Sequence, residues 1–282
     1  MTIPLSPRKK LLSAIGVAAL TVSLAACAPA ATGGSGEPAD APSASAEGLT
    51  LAEVQESGEL VVGTEGTYRP FSFHENGSGP LTGYDIEVVE AVAEKLGVEV
   101  TFEETQWDAI FAGLQAGRFD VIANQVSIND EREAAYTMSE PYTVSPGVLI
   151  VAEDTADITS FDELDGRTSA QSLTSNWYAV AEEFGAEIES VEGWAQAAEL
   201  LRQGRVDATV NDELTFLDYE KTEGDSGLKV VAETGDASLN AFAFRKGSDT
   251  LVEAVNVALA ELAADGTLAE ISESYFGSDV SQ

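Results

Sequence analysis

LQAGRFDVIAN, residues 114–124, and LRQGRVDATVN, residues 201–211, share the frame L-x-x-G-R-x-D-x-x-x-N, 87 positions apart. In each copy an amphipathic helix runs into a glycine, Gly117 or Gly204, which supplies the left-handed residue that commonly ends a helix. An arginine and an aspartate follow, then a β-rich run whose last residues turn polar: Asn124-Gln125 in the first copy, Asn211-Asp212 in the second. In open parallel sheets ligands bind beyond the carboxyl ends of strands. The two copies are therefore expected to present equivalent strand ends to one shared cleft. Gly, Arg and Asp by themselves also fit an ordinary helix-to-strand connection; the unequal polar ends are what point to a site.

Outward from these copies, β-rich runs alternate with amphipathic helices. ELVVGTE (59–65) reads as a buried strand. GYDIEVVEAVAEKLG (83–97) places Ile86, Val89, Ala93 and Leu96 on one helical face and stops at Gly97. VEVTFEE (98–104), the helix in QWDAIFAGLQAG (106–117) and the strand in DVIANQV (120–126) complete a β-α-β-α-β series. The order repeats as LDGRTSAQS, SNWYAVAEEFG, AEIESVE, GWAQAAELLRQG and VDATVND. This alternation predicts α/β architecture with mostly parallel sheet covered by helices. The tail, DTLVEAVNVALAELAADGTLAEISESYFG, reads as helix and must pack on a lobe already built.

The first 48 residues read differently. Arg8, Lys9 and Lys10 precede sixteen uncharged, mostly apolar residues, LLSAIGVAALTVSLAA. A run so short, with small residues at its end, reads as an export signal and not as a membrane span. It ends in LAAC, and Cys27 is the only cysteine of the 282 residues. The pattern resembles a bacterial lipobox, which implies cleavage after residue 26 and lipidation of Cys27; ordinary secretory cleavage nearby is the alternative. Residues 28–48 are almost wholly Ala, Gly, Ser, Pro and a few acids, a composition that reads as a flexible tether. Removing residues 1–26 takes three of the 14 cations and none of the 49 acids, so the balance becomes 11 − 49 = −38. Such a surface argues against nucleic acid and anionic headgroups as partners.

GTEGTYRPFSF, LTGYDIEVVEAVAEKLG, WDAIFAGLQAGRFDVIANQVSINDER and DGTLAEISESYFG resemble the polar-amino-acid solute-binding proteins of bacterial ABC importers, over about Leu51 to Val280. EGTYRPFSF and NQVSINDER are most similar to the cystine-binding branch. The resemblance implies a two-lobed periplasmic-binding-protein (Venus-flytrap) fold, each lobe a mostly parallel sheet flanked by helices. Two segments would cross between lobes, near Thr143–Ser145 and Glu233–Ala237. Residues 49–144 with 237–282 would form one lobe, and 145–236 the other. It further implies a monomer, lipid-anchored outside the cell membrane, that binds a zwitterionic amino acid, with L-cystine favoured, and delivers it to a membrane permease.

The residues can be weighed for that task. A ligand carboxylate suits the planar, always-charged fork of an arginine. The resemblance makes Arg132 that clamp, aided by backbone N–H groups around Thr174 and Ser175; by its own sequence Arg132 also reads as a surface helix arginine paired with Glu131 or Glu133. It makes Asp212 the ammonium partner, completed by Ser127 and the carbonyl of Gln125, while the same aspartate could cap a helix starting at Glu213. Tyr68, Phe73 and Trp107 match ligand-packing positions, although each aromatic also fits a core. Glu65 is available for a distal polar group, and Asn124 fits the cystine branch. The chain departs from the family at Leu173, where a glycine usually precedes the threonine.

No cofactor or metal is expected. His74 is the one histidine, and with Cys27 the one cysteine, His/Cys metal sites lack ligands and no G-x-S-x-G elbow accompanies His74. A binding protein is therefore expected in preference to an enzyme. A carboxylate-based lyase or dehydratase on the same fold stays as the alternative.

Overall fold

The computed structural model describes residues 47–281. The expected signal, Cys27 and nearly all of the expected tether lie outside them. Thr50 opens the described chain with a capping box: its side chain accepts from the Glu53 N–H while the Glu53 carboxylate takes the Thr50 N–H, starting α1 (Leu51–Ser57). Strand β1 (Glu59–Thr64) follows, then a small antiparallel sheet of β2 (Thr67–Tyr68), β3 (Ser72–His74) and β4 (Leu81–Thr82). Helix α2 (Tyr84–Leu96) ends at left-handed Gly97, as its sequence predicts. Its buried face is wider than the four-residue stripe. Ile86, Val89 and Ala93 are buried and Leu96 half-buried, and Tyr84, Val88 and Val92 are buried as well, because the helix lies between the sheet and the C-terminal helices.

Strand β5 (Glu99–Glu104), α3 (Trp107–Gln115) and β6 (Val121–Ser127) complete the first series, with β1 parallel to both β5 and β6. The short α4 (Asp130–Ala135), capped by Asn129, leads into β7 (Tyr136–Met138). Then come the long β8 (Thr143–Ala152) and the second series: β9 (Thr168–Gln171), α5 (Asn176–Glu183), β10 (Glu187–Ser190), α6 (Trp194–Arg202) and β11 (Ala208–Asp212). Helix α7 (Glu213–Glu223) precedes β12 (Leu228–Arg245), and α8 (Asp249–Asp265) and α9 (Thr267–Phe276) close the chain.

All strands except β2–β4 form one nine-stranded sheet in the order β10-β9-β11-β8-β12-β6-β1-β5, with β7 against β12. The sheet is continuous because β8 and β12 run antiparallel through both halves: β12 pairs β8 from Leu228↔Ala152 to Asn240↔Thr143, then continues onto β6. The expected crossings fall within these two strands. The ladder between them is interrupted from Glu233 to Ala237. That bulge lets a strand carry Thr-Gly-Asp, a sequence that reads locally as a turn. Like β8, neither β12 nor α7 is among the elements read from the sequence.

Each half has its own core on both faces of the sheet, as alternation along β8 shows. Val148 and Ile150 face Ala170, Trp194 and Phe216, whereas Leu149 and Val151 face Ile158, Leu164 and Val210. In the other half Val62, Tyr84, Phe242 and Leu259 share one core, and Ile110, Leu114, Phe119 and Ile122 the other. The tail helices pack on α2, so the C-terminus returns to the half that holds the N-terminal strands.

Candidate functional site

The carboxyl ends of β1, β6, β9 and β11 meet at one cavity of about 470 Å³. Glu65 follows β1; Asn124 and Gln125 come from β6, Gln171 from β9, Thr209 and Asn211 from β11. The quoted repeat thus delivers both of its asparagines to the same space. The first residues of α3, α5 and α6 also line it, so three helix N-termini, ends that favour anions, surround the cavity.

Of the residues expected at the site, the structure brings Glu65, Tyr68, Trp107, Asn124, Gln125 and Ser175 to this lining. Fully buried Asn124 organises one end. Its Oδ1 accepts from Thr64 Oγ1 (3.1 Å), the Glu65 N–H (2.9 Å) and Ser72 Oγ (3.3 Å), and its Nδ2 donates to Glu65 Oε2 (2.7 Å). Burial pushes the Glu65 carboxyl up to about 7, with the Asn124 bond pulling the other way. Gln125 stands at φ 50, a left-handed backbone pose uncommon for a residue with a side chain.

Phe73, Ser127, Arg132, Thr174 and Asp212 are not among the lining residues, and each has a definite place. Phe73 lies beneath the Arg69 guanidinium, 3.9 Å from its carbon, and Arg69 reaches across to Asp218 on α7 at 3.1 Å. Ser127 Oγ donates to Asn240 Oδ1 and accepts from Ser238 Oγ, both at 2.9 Å. Asp212 is buried at the end of β11, where its Oδ1 accepts from Ser145 Oγ (2.7 Å) and from the Leu214 N–H (2.9 Å), capping α7. Burial pushes its carboxyl up to about 7 as well.

Arg132 is buried on α4, not a surface arginine. Its Nη1 donates to the Ser127 carbonyl at 2.9 Å and its Nη2 to the Thr174 carbonyl at 3.4 Å, and the rings of Phe111 and Trp107 lie 5.2 and 5.4 Å from the guanidinium carbon. Among the described residues no Asp or Glu oxygen lies within 4.0 Å of it. Desolvation pulls it down to about 10. Thr174 donates its N–H (3.1 Å) and its hydroxyl (2.8 Å) to Asp108 Oδ1, and the Ser175 N–H bonds the Ser172 carbonyl. Both amides expected for a ligand carboxylate therefore already have acceptors.

Two indoles of the lining, Trp177 and Trp194, were not anticipated. A signal for the second was present: Trp194 stands 87 residues after Trp107, seven before the repeated leucine in each copy, so the repeat extends into the first turn of each helix. Trp177 carries no such mark. Its ring lies over Gly147 of β8, where a Cβ would meet it at 2.2 Å. Tyr68 joins the two sides, its hydroxyl donating to Asn211 Oδ1 at 3.0 Å and accepting from Thr215 Oγ1 at 3.1 Å.

Two α/β lobes on a pair of shared strands, with a cavity at the strand ends between them lined by both aromatic and polar side chains, define a binding protein of the two-lobed periplasmic class. The family model for bacterial extracellular solute-binding proteins, family 3, matches residues 60–278, and the chain belongs to that family. It is 47% identical over 274 residues to the L-cystine-binding protein TcyA of Bacillus subtilis, covering 97% of this chain and 100% of that one. The L-cystine solute receptor of Neisseria gonorrhoeae, in its unliganded open conformation, is 47% identical over 82% of this chain and 99% of its own, with a TM-score of 0.57. A substrate-binding protein of an ABC uptake transporter from Streptococcus pneumoniae, with bound histidine, is 28% identical over 82% of this chain and 97% of its own, yet its TM-score is 0.76. Shape and sequence rank these two oppositely. Between the two halves of the sheet, Tyr68 bonds Asn211, Arg69 bonds Asp218 and Thr174 bonds Asp108.

Proposed function

We propose that this protein captures an amino-acid zwitterion between its lobes, L-cystine first among the candidates, and hands it to the membrane permease of an ABC importer. Arg132 carries the reading. A buried guanidinium without a carboxylate partner is costly, and a ligand carboxylate is the group that would offset it. Asp212, from the opposite lobe, takes the ammonium, with Ser127 and the Gln125 carbonyl completing its shell. Residues 49–144 with 237–282 move as one lobe and 145–236 as the other. The ligand favours closure because it touches both. TcyA and the gonococcal receptor, both cystine proteins by name, support the choice of ligand. So do Glu65, Gln106, Asn176 and Glu192, polar residues of the cavity lining that suit a second amino-acid head.

Titration calorimetry with L-cystine, and with S-methylcysteine as a one-headed analogue, tests this. Tight, saturable cystine binding and markedly weaker binding of the analogue are expected. No heat with cystine, in protein that a thermal-shift screen shows to bind another amino acid, would replace the ligand and keep the class.

A pH dependence follows from the buried acids. With carboxyls raised to about 7, Glu65 and Asp212 stabilise the empty fold when protonated. That contribution is full below the unfolded value of about 4 and is lost as pH rises through about 7. An ammonium needs them ionised, so binding below pH 7 releases protons. Affinity is expected to fall on going from pH 8 to pH 5, by up to about tenfold per unit for each proton released. Calorimetry in two buffers of different ionisation enthalpy counts those protons, and a flat affinity would remove both carboxylates from ammonium binding.

Acids held near neutrality also suit general acid–base work, which keeps the lyase or dehydratase reading testable. Ligand recovered unchanged, by NMR, after long incubation with excess protein would exclude it. Anchoring outside the membrane through a lipid on Cys27 is the remaining part of the reading. Cys27→Ser is expected to release the protein into the medium, and a variant still bound after alkaline wash would contradict the anchor. Among the described residues no helix is long and apolar enough to cross a membrane.

A further inference from the structure

Strand β6 leaves its ladder where it reaches the cavity. Its pairing with β12 steps from Val126↔Ala241 to Ile122↔Ala243, and its pairing with β1 ends at Ile122. A bulge of this kind re-aims the backbone beside a site. Among the described residues only Gln125 and Asn76 of a surface turn combine a side chain with positive φ. Such a pose persists where surrounding groups over-determine it.

The group that does so is Asp85, fully buried in the first turn of α2. Its Oδ2 accepts the Gln125 N–H at 2.8 Å, replacing the missing ladder bond, and its Oδ1 accepts Gln125 Nε2 at 2.5 Å. The same amide continues to both long strands: Nε2 also donates to Thr143 Oγ1 of β8 (3.1 Å), and Oε1 accepts from Asn240 Nδ2 of β12 (2.9 Å). One carboxylate thus ties a cavity residue to α2 and, through it, to the two strands that join the lobes.

We propose that Asp85 is a positioning residue for ligand capture: it holds Gln125 in the left-handed pose that presents the Gln125 carbonyl to the ligand ammonium. This rests on the amino-acid reading of the cleft. Without the carboxylate the Gln125 N–H would be buried with no acceptor, and the backbone would relax toward the extended values of an ordinary strand. Asparagine at position 85 could still accept that N–H, with the amides of Gln125 and Asn240 turning over so that donors keep facing acceptors. Glycine at position 125 could take the pose without being held.

Calorimetry with L-cystine on Asp85→Ala, Asp85→Asn, Gln125→Gly and the Asp85→Ala/Gln125→Gly pair tests the proposal. Asp85→Ala is expected to weaken binding at least about tenfold and Asp85→Asn less than about threefold. Against Gln125→Gly, the alanine change is expected to cost less than about threefold. Wild-type affinity in Asp85→Ala, or the same loss in both backgrounds, would overturn it. Amide exchange gives a second measurement that needs no ligand and no alanine variant. The Gln125 N–H is expected to be strongly protected in the wild type and in Asp85→Asn, and exchange at loop rates would overturn the proposal even if that alanine variant did not fold. If the wild type bound neither cystine nor another amino acid, the functional reading would fail while the exchange data still judged the hold on Gln125.

Discussion

Replacing Arg132 by alanine is expected to weaken amino-acid binding by about 2–5 kcal/mol, the usual cost of stripping one partner from a buried, hydrogen-bonded charge pair. The empty protein should gain in the same change. Its guanidinium lies buried among Phe111, Trp107 and two carbonyls, without an acid beside it. Removing it lifts a desolvation cost, set against some lost ring contact. Affinity by calorimetry and melting temperature should therefore separate, the first falling steeply and the second holding or rising. Unchanged affinity would remove Arg132 from the site.

Asp212 separates the same two quantities through a pair of substitutions. Its carboxylate does a structural task at Ser145 and Leu214 and, in our reading, holds the ammonium. Asp212→Asn keeps an oxygen for both structural bonds and loses the charge, which burial already disfavours. Stability is expected to hold or rise while affinity falls by about 2–5 kcal/mol, the trade often met when a functional charge is neutralised. Asp212→Ala loses affinity to a similar extent and loses the cap too, at about 0.5–2 kcal/mol of stability. Near 2–4 °C per kcal/mol for a chain of this size, its melting point should drop by several degrees at most. If Asp212→Asn bound like wild type, the aspartate would be a cap and nothing more.

The repeat, the β-α alternation and the glycine stops were legible because each is a local rule: a face every 3.6 residues, a left-handed cap, a polar strand end. They place Asn124, Gln125 and Asn211 at strand ends without coordinates, and one step further along the same repeat would have added Trp194. Trp177 was out of reach, since nothing near it in sequence says that its ring lies over Gly147 of β8. Strand β12 was hidden for a related reason. Its Thr-Gly-Asp reads as a turn until an antiparallel partner absorbs it in a bulge.

Charge states belong to the same divide. Sequence alone leaves Arg132 open between a surface pair and a clamp, and Asp212 open between a cap and a ligand group. Burial decides between these readings, and burial is summed over elements distant in the chain. The sequence by itself determined the class of fold and the strand ends where a ligand could sit, because periodicity and capping depend on near neighbours. Only the tertiary structure decided that Arg132 is buried with no acid within 4.0 Å among the described residues, that burial raises the Glu65 and Asp212 carboxyls to about 7, and that Asp85 reaches across to Gln125. Desolvation and hydrogen bonding at such sites depend on what the rest of the chain brings alongside.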